Sequence, residues 1–495
     1  MSSSIPPEQT TSETPSPAPQ ATGSSSGFDR FFEITRRGSS VGAEVRGGVV
    51  TFVTMAYIVI LNPIILSSGT DISGDNLGFA QVAATTALTA GVMTILFGLV
   101  TRLPFAFAAG LGINSFLAVS VVGQVTWAEA MGLVVINGAI IVILAATGLR
   151  RMIFDAVPIQ LKTAITVGIG LFIAFIGFVN AGFVTSTGAD SPPVGLGIEG
   201  SIATVPTLLF VGTLLLTAIL MALRVKAALL IGLVSGTVVA VIVEAIWQLG
   251  PRFTDDGVNP QGWSLTVPEL PASLVGLPDL SLIGQVSFGS FERIGVLAAT
   301  MLVFTLVFTN FFDAMGTMTG LAREAGLSDA KGDFPRLRSA LVVEGIGAIA
   351  GGATSSSSNT VFIESGAGIG EGARTGFANV ITGLLFLLAM FFTPLTTIVP
   401  TEIAAAALVL VGALMMAQIR HIDLTDVSAL IPVFLTVTVM PLTYSIANGI
   451  GAGFVSWVVI RALSGRARQI SPLLWIVAAG FVVYFARGPV EALLA

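Results

Sequence analysis

The 495-residue sequence has no cysteine, a single histidine (His421), and charge on only 10% of its residues. Without cysteine there is no disulfide framework, no thiolate metal site and no cysteine nucleophile. One histidine excludes His-rich metal centres and leaves little material for a Ser-His-Asp triad. Soluble domains carry about 25% charged residues, so this chain falls short by more than half. A net charge of −6 offers no basic footprint for nucleic acid. What abounds is apolar: 54% of residues are hydrophobic and 56 are glycine. That is the composition of an all-α polytopic membrane protein.

Residues 1–27 are mostly Ser, Thr, Pro and Gln, and read as a disordered tail. They lack the charged start and apolar centre of a secretory signal, so the first apolar run serves as the insertion signal. Such runs fall at about 47–67, 79–101, 104–121, 127–148, 158–182, 203–223 and 226–249. A polar loop at 250–293 follows. A second set lies at about 294–319, 337–352, 357–371, 373–396, 401–418, 427–443 and 445–463. The runs at 337–352 and 357–371 are too short to cross as plain helices. Within the C-terminal segment 464–495, a last run at 472–487 either spans or lies along the surface.

The cations test this count of fourteen. With the N-terminus inside, the cytoplasmic loops collect Arg30, Arg36, Arg37, Arg46, Arg102, Arg150, Arg151, Lys162, Arg224 and Lys226 from the first half. From the second half they collect Arg323, Lys331, Arg336, Arg338, Arg374, Arg420, Arg461, Arg466 and Arg468. Only Arg252, Arg293 and Arg487 remain outside. Losing one span would scramble the pattern.

The two sets also look like distant copies. Ala130-Met131-Gly132, Gly138 and Val157-Pro158 reappear in spirit as Arg374-Thr375-Gly376, Gly383 and Val399-Pro400. Because seven is odd, the second copy enters from the opposite side. The predicted fold is therefore a 7+7 inverted repeat, 28–249 and 294–463, with substrate held near the midplane.

Charge inside a span is costly and needs a reason. Three acids qualify: Asp313, Glu344 and Glu364. Glu344 sits among small packing residues and reads as structural, while Asp313 and Glu364 border irregular backbone and read as functional. From Gly351-Gly352 through Ser355–Ser358, Asn359 and Thr360 the chain neither buries well nor favours helix. Thr360–Ile363 reads as extended, and Glu364 opens a Gly-rich helix. The first copy answers with Pro104, an extended Phe105–Ala108, then Gly110, Gly112 and Asn114. Two broken segments crossing at membrane depth make one central site, since extended backbone survives there only when buried or lining a cavity. Free backbone groups and helix N-termini are then available to a ligand. Asp313, Glu364, Asn114 and Asn310 supply polar groups; Phe362, Phe311, Phe312 and Phe107 supply flat walls. Neither broken element holds Lys or Arg, so a bare anion fits poorly. A neutral solute rich in N–H donors and ring acceptors fits well, and a buried carboxylate can couple it to a proton.

These segments also carry a family resemblance. The stretches FFEITRRGSSVGAEVRGGVVTFVTMAYIVILNPIILS (31–67), GLGINSF (110–116), FFDAMGTMTG (311–320), FIESGAGIGEGARTG (362–376) running on to FFTPL (391–395), and MPLTYSIANGIGAGF (440–454) resemble the nucleobase:cation symporters. The nearest pattern is that of the AzgA-like adenine/guanine/hypoxanthine permeases, over nearly all of 28–490. The resemblance implies a core domain at about 47–148 and 294–396 and a gate domain at about 158–249 and 401–463. It implies substrate contacts at Asn114, Asp313 and Glu364, beside Asn310, Phe362 and Gly112. It further implies proton-driven purine import across the cell membrane, the core sliding against the gate, no cofactor beyond the coupling proton, and a homodimer through the gate. A uracil or xanthine permease, or an uncoupled facilitator of the same fold, is the alternative. The chain departs from the family pattern at Asn310, where a second acid is usual, at Ser355–Ser358, usually Thr-rich, and at Val361, usually small and polar.

Other motifs carry less. Gly366, Gly368, Gly370 and Gly372 follow no strand–helix nucleotide-binding unit and read as packing glycines. The Gly-x-Gly-Asp motif of intramembrane aspartyl proteases is missing. His421 sits in the polar loop RHIDLTD.

Overall fold

The computed structural model describes residues 27–148, 157–189, 191–198, 200–254, 257–271, 273–328 and 334–494. The expected tail lies, apart from Gly27, outside the described residues, as do Arg150, Arg151 and Lys331. Among the described residues, ten helices are long and apolar enough to cross a membrane.

A short helix α1 (Gly27–Phe32) precedes the first span, which is α2 (Val41–Met55) and α3 (Ile58–Ser67) separated by a turn at Ala56–Tyr57. Ser40 caps α2 through the Ala43 N–H, and Pro63 inside α3 removes one helix donor. Then come α4 (Phe79–Thr101), strand β1 (Phe107–Ala109) with α5 (Leu111–Phe116), and α6 (Trp127–Thr147), begun by a Thr126–Glu129 capping box. Next are α7 (Ile159–Asn180), α8 (Val205–Ala222) and α9 (Ala228–Trp247). The second half holds α10 (Val296–Glu324), α11 (Leu337–Ala353), strand β2 (Asn359–Val361) with α12 (Ser365–Gly370), and α13 (Gly376–Ala389). It ends with α14 (Thr401–Met416), α15 (Val427–Leu442), α16 (Ile446–Arg461) and α17 (Pro472–Leu494). At about 1.5 Å per residue, α11 is roughly 25 Å long, shorter than a bilayer core.

The helices gather in two groups. In one, α4 packs on α13, α6 on α11, and α2 on both α12 and α13. In the other, α7 packs on α14 and α15, α8 on α9 and α14, and α15 on α16. Small residues set the closest crossings. A Cβ on Gly98 of α4 would stand 2.5 Å from the Gly376 carbonyl of α13, and one on Gly170 of α7 would stand 2.7 Å from the Gly412 carbonyl of α14. The last helix α17 packs on α10 and α16, with Phe481 against Phe304 and Phe454 at 5.8 and 6.2 Å.

The 250–293 loop touches both groups. Trp263 is fully buried, its indole N–H donating to Glu244 Oε2 at 2.8 Å, and the Ser264 N–H donates to Glu402 Oε1 at 2.9 Å. Farther on, Gly276 N–H reaches the Phe391 carbonyl at 3.0 Å and Gly284 N–H the Ala353 carbonyl at 2.8 Å. Arg293 pairs with Glu129 at 2.7 Å. At the other end of α4, Arg37 and Arg102 meet around Glu33.

Candidate functional site

Pro104 lacks an N–H, and Ser355 and Ser357 hold φ of 55° and 69°, so neither segment enters the bundle as helix. Strands β1 and β2 instead pair antiparallel: Phe107 opposite Val361, Ala108 opposite Thr360, Ala109 opposite Asn359. The ladder continues through Phe362 N–H to the Ala106 carbonyl and Gly110 N–H to the Ser358 carbonyl, both 2.9 Å. The extended pieces expected at Phe105–Ala108 and Thr360–Ile363 are thus offset by one or two residues, because pairing selects the registered residues and the helices resume beyond it.

Backbone groups that the ladder leaves over must be met by side chains. Thr94 Oγ1 accepts from the Phe107 N–H at 2.9 Å and donates to the Phe107 carbonyl at 3.0 Å. Ser365 Oγ accepts from the Ala106 N–H at 2.9 Å, and Asn379 donates to the Phe105 carbonyl at 2.6 Å. On the β2 side, the fully buried Glu344 carboxylate faces the Thr360 hydroxyl and the Val361 N–H without closing a hydrogen bond to either.

Glu364 stands at the start of α12, half-buried, and its Oε1 accepts from the Tyr57 hydroxyl at 2.5 Å. Asp313 is half-buried on α10, which packs on β2, α5 and α12. α10 carries Asp313 and packs on β2 and on α12, which Glu364 opens, while α11 carries Glu344 and packs on β2, so the elements bearing the three acids meet at β2. Asn310, one turn before Asp313, is fully buried, and both its amide atoms lack a protein hydrogen-bond partner. Asn114 donates to Asn62 Oδ1 at 2.5 Å while its own Oδ1 has no protein partner. Thr309, Ser357, Ser358 and Thr360 add buried hydroxyls in the same condition. Buried polar atoms are nearly always hydrogen-bonded, so this concentration marks a place built to meet something polar.

Two aromatic and backbone expectations separate here. Phe362 is buried with Phe308, Phe311 and Phe312 in the larger apolar cluster. Phe107 is not a wall of the same site. Side chains alternate across a strand, and Phe107 points with its partner Val361 into a second cluster, its ring 4.7 Å from Phe97. Gly112 marks a close approach between the helix groups: a Cβ there would stand 2.8 Å from Ile169 of α7.

Sequence reading passed over Tyr57 and Asn62. Asn62 donates to Thr86 Oγ1 at 2.7 Å and to the Ser356 carbonyl at 3.0 Å, joining the first span to the loop before β2. The available signal was polarity: a tyrosine and an asparagine within MAYIVILNP, in a chain with only 3 tyrosines.

The chain resembles known proteins along most of its length. The model of the Permease family (Xan_ur_permease) matches residues 42–452. The guanine/hypoxanthine permease PbuG of Bacillus subtilis strain 168 is 36% identical over 470 residues, covering 92% of this chain and 98% of that protein. The adenine permease AdeP of Escherichia coli K12 is 35% identical over 459 residues, covering 92% and 95%. The transmembrane domain of a cyanobacterial bicarbonate transporter, BicA, shares the fold at a TM-score of 0.56 and 15% identity, over 84% of this chain and 96% of that one. Its fold is thus that of known membrane transporters. The chain belongs to the Permease family: it is a multi-pass membrane transport protein rather than an enzyme.

Proposed function

We propose that this permease imports the purine nucleobases adenine, guanine and hypoxanthine by proton symport, one helix group moving against the other to alternate access. The observation that carries the reading is the β1–β2 crossing, which gathers Asp313, Glu364, Asn310 and the Phe362 ring in one neighbourhood between broken segments. Transporters place substrate at such breaks. A planar heterocycle with N–H donors and ring acceptors suits carboxylates, amides and an aromatic wall. The names of the PbuG and AdeP relatives support purines. In this reading Asn114, Asp313 and Glu364 contact substrate, and Glu364 carries the proton with Asp313 as its partner, the two exchanging it as a pair.

Behind it stands a fold of fourteen segments in two inverted sets of seven. Exchanging the sets preserves the main contacts: α4–α13 becomes α11–α6, α2–α13 becomes α10–α6, and β1–β2 and α7–α14 map onto themselves. The first helix group is then the core (47–148 and 294–396) and the second the gate (158–249 and 401–463). The N-terminus faces the cytoplasm, the protein sits in the cell membrane, and the gate forms a homodimer.

Labelled adenine and hypoxanthine uptake into proteoliposomes tests the reading. Concentrative uptake under an inward proton gradient, abolished by an uncoupler, is expected. Uptake indifferent to the uncoupler would make it a facilitator, and uptake of uracil or xanthine alone would overturn the purine assignment.

A further inference from the structure

At the end of α4 away from the 250–293 loop, arginines crowd one cleft. The turn after α1 brings Glu33, Arg36 and Arg37; α4 is closed by Arg102; Arg336 precedes α11. Glu33 pairs with all four, at 2.9 Å from Arg37, 3.1 Å from Arg102, 3.5 Å from Arg336 and 3.6 Å from Arg36. Among the described residues no second carboxylate joins these ion pairs, which set four guanidinium groups against one carboxylate. Arg36, Arg37, Arg336 and Glu33 border a cleft of about 470 Å³, with Leu327 and Pro335 on its apolar side.

The four arginines are not equivalent. Arg37 is structural: its side chain is 8% exposed and donates to the carbonyls of Arg102 and Arg374 at 2.6 and 3.1 Å. Arg36, with a side chain 80% exposed, stands at the rim. Among the described residues Arg336 reaches the Val100 carbonyl at 3.4 Å and Glu33 at 3.5 Å, and Arg102 Nε is buried without a partner. Glu33, Arg102 and Arg336 hold φ of 64°, 58° and 61°, Arg102 as the left-handed cap that closes α4 and Arg336 at the start of α11. Burial and the charges of Arg102, Arg37 and Arg36 lower the Arg336 pKa below its ordinary value despite Glu33. Among the described residues these ion pairs leave Arg102 Nε and positive charge unmatched.

We propose that this cleft binds a phosphate-bearing anion through Arg36 and Arg336. Planar guanidinium forks match paired phosphate oxygens. Two sources share that chemistry. Phe28 and Phe31 are exposed on α1 beside Arg30, an aromatic and cationic edge suited to lipid headgroups. The open cleft also admits a soluble phosphate.

The test uses the full chain in phosphatidylcholine nanodiscs at fixed ionic strength. Its melting temperature is read with inorganic phosphate, with adenosine monophosphate, and with phosphatidylglycerol added to the lipid, sodium chloride serving as the matched salt. Variants are Arg36→Gln, Arg36→Gln/Arg336→Gln and, as reference, Arg420→Gln on an exposed turn. A rise of a few degrees at probe levels about 100-fold above Kd is expected. It must vanish in the double variant and persist in Arg420→Gln. A response to the soluble probes alone identifies a free phosphate; a response to phosphatidylglycerol alone identifies a lipid headgroup. No rise with any probe, or an equal rise in the double variant, overturns the proposal. If the double variant does not fold, Arg36→Gln decides: its half-saturating probe level must rise about tenfold, the worth of one charged hydrogen bond, and an unchanged value overturns the site.

Discussion

The two strands at the centre are alike in backbone and unlike in chemistry. Each follows a break, runs three residues and leads into a short helix. β1 is completed by neutral groups: Thr94 serves both backbone groups of Phe107, and Asn62 receives the Asn114 amide. β2 is flanked by acids instead: Glu344 lies on the helix packed against it, its carboxylate without a hydrogen bond, and Glu364 just beyond it takes the Tyr57 hydroxyl. Shape and charge are therefore separable. Both halves build the crossing, and the second alone charges it.

That asymmetry can be broken from several sides. Glu364→Gln should abolish gradient-driven uptake in proteoliposomes with the folded amount unchanged; normal uptake would remove Glu364 from the coupling role. Gly376→Ala attacks shape instead, because its Cβ meets the Gly98 carbonyl. Overpacking of this kind costs about 1–3 kcal/mol, so a lower Tm and folded yield are expected for every substrate alike. Glu344→Gln should likewise reduce mainly the folded protein recovered from membranes; a lost proton dependence at normal yield would move Glu344 from scaffold to chemistry. On the neutral side, Asn114→Ala should raise KM roughly 3- to 10-fold, the worth of a neutral hydrogen bond. Asn62→Ala should do much the same, and the double variant should add little; full additivity would mean the two amides act independently.

The smallest effect concerns Glu33, far from the crossing. Burial raises its carboxyl pKa, but the hydrogen bond and charge of Arg37, with the charges of Arg36 and Arg336, more than offset this and hold it below the ordinary 4.5. A carboxylate with a lowered folded pKa adds stability above its unfolded value and loses it as pH falls through the folded one. Glu33→Gln should therefore lower Tm at about pH 6, with the gap closing below about pH 4. A gap that widens in acid would contradict the pairing.

Much of this was legible in the letters. Apolar runs announced the ten long helices among the described residues, because about 20 apolar residues have few other uses. Pro104 and the Ser355–Ser358 run announced the breaks, because neither sustains a helix. Strand register was not legible: it depends on which residues two segments half a chain apart bring face to face, and Phe107 accordingly packs on Phe97 rather than beside Phe362. Tyr57 and Asn62 escaped for a related reason. Their roles come from partners far along the chain, Glu364 for Tyr57 and Asn114, Thr86 and the Ser356 carbonyl for Asn62, and periodicity within a single run carries no record of those partners.

The pairing of Phe107 with Val361 has a consequence in time. At about 5–20 residues per second of synthesis, β1 leaves the ribosome roughly 10–50 s before β2 exists. Thr94, made a moment earlier, already occupies one edge of β1, while the other edge waits. Until then β1 lacks the strand it pairs with in the finished fold. Completion of the crossing therefore waits for the second half of the chain.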